Sequence, residues 1–245
     1  MMNSEPSERS SLKSFVKSIP VLGPTAGKLA QLPVFARVRS LHFPGSATFW
    51  ESVYRQQDGT SGPGSYGRLA QFKAEILNEF VRTKAIRTVI DFGCGDGAQL
   101  QLARYPEYLG VDVARGSIER CNALFANDST KRFCLADKLP QNIGEFDLAL
   151  SLDVVYHLVE NTVFDAYMRR LFDASQRHVI IYSSNYDALT NAPHVRHRNF
   201  TRWIDKKAPD WCADGFVPNR FPFHPKQPDD ETSHADFYFF TRKDP

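Results

Sequence analysis

Val89-Ile90-Asp91-Phe92-Gly93-Cys94-Gly95-Asp96-Gly97 is the stretch on which the reading of this chain turns. A β-branched run, with Arg87 and Thr88 leading into it, ends abruptly in alternating glycines, the pattern of a buried strand that turns sharply into a helix. Glycines at such a turn let backbone come close to a ligand, and the helix start beyond them offers free N–H groups. Outward from this stretch, strand and helix patterns alternate. Strands are predicted at 87–92, 108–113 (YLGVDV), 131–136, 146–152 (FDLALSL) and 177–183 (RHVIIYS), with a last strand at 236–242 (DFYFFTR). Helices are predicted at 98–105, 117–126 and 162–174, and an amphipathic helix carrying Leu69, Phe72, Ile76, Leu77, Phe80 and Val81 precedes the first strand. This alternation predicts an α/β fold, doubly wound, with a mostly parallel sheet covered by helices on both faces.

Charge around the glycines separates two kinds of ligand. Gly93, Gly95 and Ala98 satisfy the G-x-G-x-x-A pattern of dinucleotide enzymes. A dinucleotide, however, lays a pyrophosphate over this turn, and Asp91 and Asp96 beside it repel phosphate. S-adenosylmethionine brings a sulfonium and an ammonium instead, for which acidic neighbours are favourable. Asp112, about 20 residues after the glycines, ends the second strand, where an acid can accept both ribose hydroxyls. Asp137 ends the third, in reach of an adenine amino group.

These segments resemble class I S-adenosylmethionine-dependent methyltransferases. The resemblance rests on VIDFGCGDG, then GVDV, then ADKLP, then FDLALSLDVVYHL, in the family's order over about residues 85–183. It implies a seven-stranded Rossmann-like sheet with the last strand antiparallel, and S-adenosyl-L-methionine as cofactor. It also implies that Asp91, Gly93, Gly95 and Gly97 line the methionine end, Asp112 the ribose and Asp137 the adenine. Ser151 falls near the transferred methyl group, and Cys94 and Val113, inside the same segments, complete the cofactor set. Gly64-Ser65-Tyr66-Gly67-Arg68-Leu69-Ala70, followed by Phe72-Lys73-Ala74-Glu75, is more loosely similar to bacterial members linked to cell-surface polysaccharide assembly, which implies a saccharide hydroxyl as acceptor.

Transfer to a hydroxyl needs a base as well as alignment. Candidates are Asp153 and His157, with Tyr156 beside them on the substrate side. His157 has the intrinsic pKa of a base near neutrality, against a packing role at a helix start; Asp153 can equally cap that helix. A second cluster, His194, Arg196, Arg198 and Trp203, offers guanidinium forks for an anionic group and a ring for a sugar, against an ordinary basic surface loop.

Length and composition frame this reading. The chain has 245 residues, 42% hydrophobic, with a formal net charge of +2, so overall charge does not announce a nucleic-acid partner. No N/DPPY tetrapeptide of base methylation follows the fourth strand, where Ser151-Leu152-Asp153-Val154 stands. The expected acceptor is a small or carrier-linked molecule; the alternatives are a nucleic-acid methyltransferase and a non-catalytic cofactor-binding subunit. Cys94, Cys121, Cys134 and Cys212 lack metal-ligand spacing, so no metal is expected. No apolar run approaches the roughly 20 residues of a membrane span and no signal peptide is visible, so a cytoplasmic protein is expected. The expected organisation is a basic arm over residues 1–45 and a methyltransferase domain over 46–245. Within the arm, Leu12, Phe15, Val16 and Ile19, then Val34, Phe35, Val38 and Leu41, form two short amphipathic faces among Lys and Arg with no acid between Arg9 and Ser40. These faces suit either peripheral contact with an anionic membrane surface or packing on protein.

Overall fold

A computed structural model describes residues 43–56, 58–141, 143 and 146–243. The two amphipathic faces of the arm lie outside the described residues. In chain order come α1 (Ser46–Arg55), α2 (Gly67–Thr83), β1 (Thr88–Phe92), β2 (Glu107–Asp112), α3 (Arg115–Leu124), β3 (Lys131–Leu135), β4 (Phe146–Leu152) and α4 (Asn161–Asp173). They are followed by β5 (Ser175–Ser183), β6 (Ala188–Leu189), β7 (Arg196–His197), α5 (Thr201–Lys207), β8 (Trp211–Val217) and β9 (Asp236–Arg242).

Seven strands form one sheet in the order β3-β2-β1-β4-β5-β9-β8. The first five run parallel, β9 is antiparallel to β5, and β8 is antiparallel to β9. The doubly wound, mostly parallel seven-stranded fold is therefore present, with the last strand antiparallel. Parallel strands covered on both faces must be apolar on both, and the sheet divides its side chains accordingly. Val89, Leu148, Leu150 and Ile180 face one core with Phe72, Leu77 and Val81 of α2. Ile90, Ala149, Val179 and Ile181, one residue along each strand, face the other core with Met168, Leu171 and Phe172 of α4. β1 lies between β2 and β4, so the chain order reverses there, and the carboxyl ends of β1 and β4 open the crevice in which α/β sheets bind ligands.

Several elements depart from the sequence expectation, among them the short β6, β7 and α5, which were not predicted. The helix expected over 98–105 is a single 3₁₀ turn, Gln99–Leu102. Ala103 is already extended, and Pro106 biases Tyr105 toward extended backbone as well. β8 was not predicted: it is an edge strand, WCADGFV, largely exposed and with a register shift between Ala213 and Gly215, so it carries no apolar period. α1 was also missed. Among the described residues, no helix is long and apolar enough to cross a membrane.

Candidate active site

The turn after β1 is built by left-handed glycines. Gly93 has φ 88° and Gly95 φ 59°, a region that side chains with a Cβ rarely adopt. Close approach adds a second requirement. A Cβ on Gly93 would stand 2.4 Å from Val154 Cγ2, and one on Gly95 2.2 Å from Ser61 Oγ. The turn is fixed to β2 by backbone: the N–H groups of Gly93 and Cys94 donate to Val111 O at 2.7 and 3.1 Å.

A cavity of about 380 Å³ opens beside this turn. Its floor is Asp91 to Gly95, the end of β2 from Val111 to Val113, and Leu152, Asp153, Val154 and His157 after β4. α4 contributes Val163, Ala166, Tyr167 and Arg170, and α1 covers the cavity with Ser46, Ala47, Trp50 and Tyr54. The cover is held at both ends. Ser46 donates from N and Oγ to the two carboxylate oxygens of Glu160, at 2.8 and 2.5 Å. The segment after α1 is tied to the glycine turn through Asp96, which accepts from Ser61 N at 3.1 Å, from Ala98 N at 3.1 Å and from the Tyr66 hydroxyl. Burial opposes ionisation of Asp96, but these donors outweigh it and hold its carboxyl below the ordinary range.

Three carboxylates and one lysine face the cavity. Asp91 is buried; its Oδ2 accepts from the Tyr108 hydroxyl at 2.9 Å and its Oδ1 has no partner. Burial pushes its carboxyl up to about 7, against the pull of Tyr108 and Lys73. Asp112, also buried, accepts from Gly95 N at 3.0 Å and Ala114 N at 2.9 Å, and burial raises its carboxyl despite these donors. Asp153 stands at φ 61° and accepts from Lys73 Nζ at 2.6 Å and from the Tyr156 hydroxyl at 2.8 Å. Lys73 is 1% exposed, so the pair is shielded from water and each charge depends on the other.

His157 also lines the cavity, edge-on to Trp50 with ring centroids 4.9 Å apart. Its Nδ1 meets His194 O at 3.0 Å, which makes Nδ1 the protonated nitrogen and leaves the Nε2 lone pair free of that contact. Burial lowers its pKa to about 4. Burial thus favours the neutral imidazole over the imidazolium.

The structure brings Asp91, Gly93, Cys94, Gly95, Asp112, Val113, Asp153 and His157 into one cavity wall. It places the other candidates elsewhere. Gly97 packs against Phe125 and Cys121 rather than the cavity. Ser151 is buried one layer back, where its Oγ accepts from the Tyr167 hydroxyl at 2.7 Å. Asp137 points to solvent, 71% exposed and 3.8 Å from Lys138, while its neighbour Ala136 reaches the cavity. Tyr156 donates its hydroxyl to Asp153 Oδ1, and His194 stacks on Phe49 at 4.4 Å.

The arginines expected to bind an anionic acceptor are used internally. Arg198 donates to Leu158 O at 3.1 Å, Val159 O at 2.7 Å and Asn161 Oδ1 at 2.9 Å, and lies over the Phe164 ring. Arg196 donates to Val159 O and Asn161 Oδ1 at 3.2 and 3.0 Å. Both serve carbonyls that precede α4 and have no helical partner. Trp203 sits on α5, donates to Asp165 Oδ1 at 2.7 Å and packs on Phe164 and Phe172, away from the cavity.

Sequence reasoning missed Trp50, Tyr54, Lys73, Gln99 and Tyr167, all of which line the cavity. Lys73 carried a readable signal, since it is the one charged residue on the buried stripe of α2 that also holds Leu69, Ala70, Phe72, Ala74, Leu77 and Val81.

The groups present suit S-adenosylmethionine. Asp91 Oδ1 is a buried acceptor awaiting a donor, the glycine turn has no Cβ to fill its approach, and the acids oppose a phosphate. Residues 89–177 match the family described as "Methyltransferase domain". No curated protein matches the chain. Among solved structures, the fold is shared with the N-methyltransferase NodS from Bradyrhizobium japonicum WM9 in complex with S-adenosyl-L-homocysteine. That pair is 15% identical with a TM-score of 0.63, over 82% of this chain and 100% of the other. The 1,6-didemethyltoxoflavin-N1-methyltransferase of Burkholderia thailandensis, with its namesake compound and S-adenosylhomocysteine bound, is 16% identical with a TM-score of 0.58, covering 85% and 89%. Magnesium protoporphyrin IX methyltransferase from Synechocystis PCC 6803 with bound S-adenosylmethionine is 14% identical with a TM-score of 0.53, covering 99% and 100%. The matched segment contains the glycine turn and all three cavity acids, so residues 89–177 read as a methyltransferase domain, set in a fold shared with methyltransferases solved with S-adenosylmethionine or S-adenosylhomocysteine bound.

Proposed function

We propose that the chain methylates a small-molecule or carrier-linked acceptor through an O–H or N–H nucleophile presented to Asp153, and that residues 46–245 are the catalytic unit. The observation that carries this reading is the convergence of Asp91, Asp112 and Asp153 on one cavity at the ends of β1, β2 and β4. When bound, the cofactor supplies an electrophilic methyl group on a sulfonium. Asp91 and Asp112 favour that cation electrostatically, and α1 excludes water from it. Asp153, held between Lys73 and Tyr156, is a fixed carboxylate at the turn after β4 that can accept the proton the nucleophile gives up. His157, neutral and edge-on to Trp50, shapes the same wall. Two of the solved structures that share the fold are methyltransferases of 1,6-didemethyltoxoflavin and of magnesium protoporphyrin IX, which supports a small-molecule acceptor. With Arg196, Arg198 and Trp203 turned to internal partners, the cavity supports an uncharged acceptor group better than an anionic one.

Two measurements test the reading. Calorimetry on the full chain should show S-adenosylhomocysteine binding, with NAD much weaker; tighter NAD binding refutes it. Incubation with methyl-labelled cofactor and panels of hydroxyl and amine compounds should place the label in the small-molecule fraction. Label appearing only in RNA or DNA refutes the acceptor.

A further inference from the structure

The cavity of about 380 Å³ is at the small end of the space one drug-sized ligand occupies, so the cofactor takes it and the acceptor reaches Asp153 from outside. On that side Asp153 is bordered by the 3₁₀ turn Pro63–Ser65, where a Cβ on Gly64 would stand 2.9 Å from Asp153 Oδ2, and by Tyr156. Beyond Tyr156, the segments that follow β5 and precede β9 bring four more rings together. His197 lies 6.2 Å from Tyr156 and stacks on Tyr186 at 4.6 Å. His234 lies 5.0 Å from His197 and stacks on Phe223 at 3.8 Å. The row runs from interior to surface: His197 is 7% exposed, Tyr186 41% and Phe223 43%. A single exposed ring is ordinary on a protein surface, whereas contiguous exposed rings mark a contact site. Each imidazole spends one nitrogen on a hydroxyl. His197 Nδ1 meets Ser184 Oγ at 2.6 Å and His234 Nδ1 meets the Tyr186 hydroxyl at 3.0 Å, and among the described residues neither Nε2 has a hydrogen-bond partner. Burial lowers the pKa of both rings, that of His197 to about 4, so the row is uncharged at pH 7. It is also fixed in advance. Asn219 Nδ2 donates to the Tyr182 hydroxyl at 2.7 Å and to Ala235 O at 2.9 Å, which pins both ends of the loop carrying Phe223 and His234. A preorganised surface of this kind binds at lower entropic cost.

We propose that the acceptor carries an uncharged aromatic or heteroaromatic ring, which stacks on Tyr186 and Phe223 while its nucleophilic O–H or N–H extends past Tyr156 to Asp153. The proposal rests on Asp153 receiving the nucleophile and names the class of molecule that presents it. Rings that meet a row of π faces gain from offset or edge-on contact beyond the area they bury, which a saturated ring of the same skeleton forfeits. The free Nε2 atoms of His197 and His234 accept from a donor on the ring, and two neutral imidazoles offer a charged group no counter-ion.

2-Naphthol and its saturated counterpart decahydro-2-naphthol, alike in skeleton and hydroxyl, are the probes. Each is titrated into the full chain saturated with S-adenosylhomocysteine, and binding is read from the imidazole proton resonances in nuclear magnetic resonance spectra. The expected result is that 2-naphthol shifts the His197 and His234 resonances through its ring current and binds at least about threefold more tightly than the saturated alcohol. Phe223→Leu, which keeps apolar bulk and removes the π face, should weaken 2-naphthol about 2- to 10-fold, the range of an aromatic pair. Tyr186→Leu carries the same comparison if Phe223→Leu does not fold. Equal affinity for the two alcohols, no binding of 2-naphthol, binding that leaves both histidine resonances unmoved, or a leucine variant that binds it as the wild type does overturns the proposal. In the labelling panel, a methylated product that is aliphatic overturns the aromatic class and leaves the small-molecule reading standing. Failure of the wild type to bind S-adenosylhomocysteine, measured before either alcohol is added, overturns the cofactor site instead.

Discussion

Asp91 offers a test in which stability, rather than activity, reports on the site. The perturbation is Asp91→Asn, which keeps the shape of the side chain and an oxygen for the Tyr108 hydroxyl to donate to, and removes the ability to ionise. In the folded protein burial pushes the Asp91 carboxyl from 3.8 up to about 7. An unfolded chain therefore releases this proton at lower pH than the folded one. Between the two values the folded state holds more protons, so the wild type loses stability as pH rises through that window. The difference corresponds to about 4 kcal/mol once both states are ionised, as an upper bound. The asparagine variant does not ionise and escapes the loss. Near pH 4 the two proteins should match within about 1 kcal/mol, and at pH 8 the variant should be more stable by up to about 4 kcal/mol. For a domain of this size that is roughly 8 to 16 °C in Tm. The assay is thermal or urea unfolding of both proteins without ligand at half-unit steps from pH 4 to 8. Groups unaffected by the substitution titrate alike in both proteins and cancel in the difference. A gap that is the same at pH 4.5 and pH 8, or a variant less stable at pH 8, refutes the account of Asp91 as a buried, incompletely satisfied carboxyl.

Two further predictions follow from groups whose roles the structure redefines. Arg198→Lys keeps a charge but cannot reach three acceptors in a fork, so urea unfolding should show a loss of roughly 2 to 4 kcal/mol, while the folded fraction binds S-adenosylhomocysteine within about twofold of wild type; unchanged stability would return Arg198 to the acceptor. The His157 ring, buried to a pKa of about 4, should stay neutral at pH 6 in a nuclear magnetic resonance titration. Its folded value lies below the unfolded one, so its contribution to stability is complete above about 6.5 and is lost as pH falls toward 4; a midpoint near 6.5 shows a solvated ring instead.

The central sheet was legible because buried parallel strands write themselves as continuous apolar runs. RTVIDF, FDLALSL and RHVIIYS admit few other readings, and glycines mark where the first of them stops. The edge of the sheet was not legible. β8 carries Asp214 and Gly215 in its middle and exposes most of one face, so nothing in its sequence alternates. At the site, the same contrast holds between backbone and side chain. Asp91, Asp112 and Asp153 could be read because each is the residue at or just beyond the end of a strand, and strand ends converge wherever this sheet forms. Asp137 was read by the same rule and does not follow it, since two residues past the end of β3 the side chain is free to turn to solvent.

Arg196 and Arg198 show why the acceptor side resists reading. A guanidinium's donors go to whatever acceptors surround it, and the sequence around an arginine is the same whether these are a ligand's or the chain's own. Here the loop before α4 presents Leu158 and Val159 carbonyls with no helical partner, and the arginines of β7 and its flank lie across it. Charge inside an apolar stripe is the more informative pattern. Lys73 interrupts the buried face of α2, and burying an ammonium is so unfavourable that it must have a built partner. That partner is Asp153, the residue already singled out at the end of β4. Reading α2 for its one misplaced charge, rather than for its amphipathic period alone, leads from the helix to the chemical centre of the cavity.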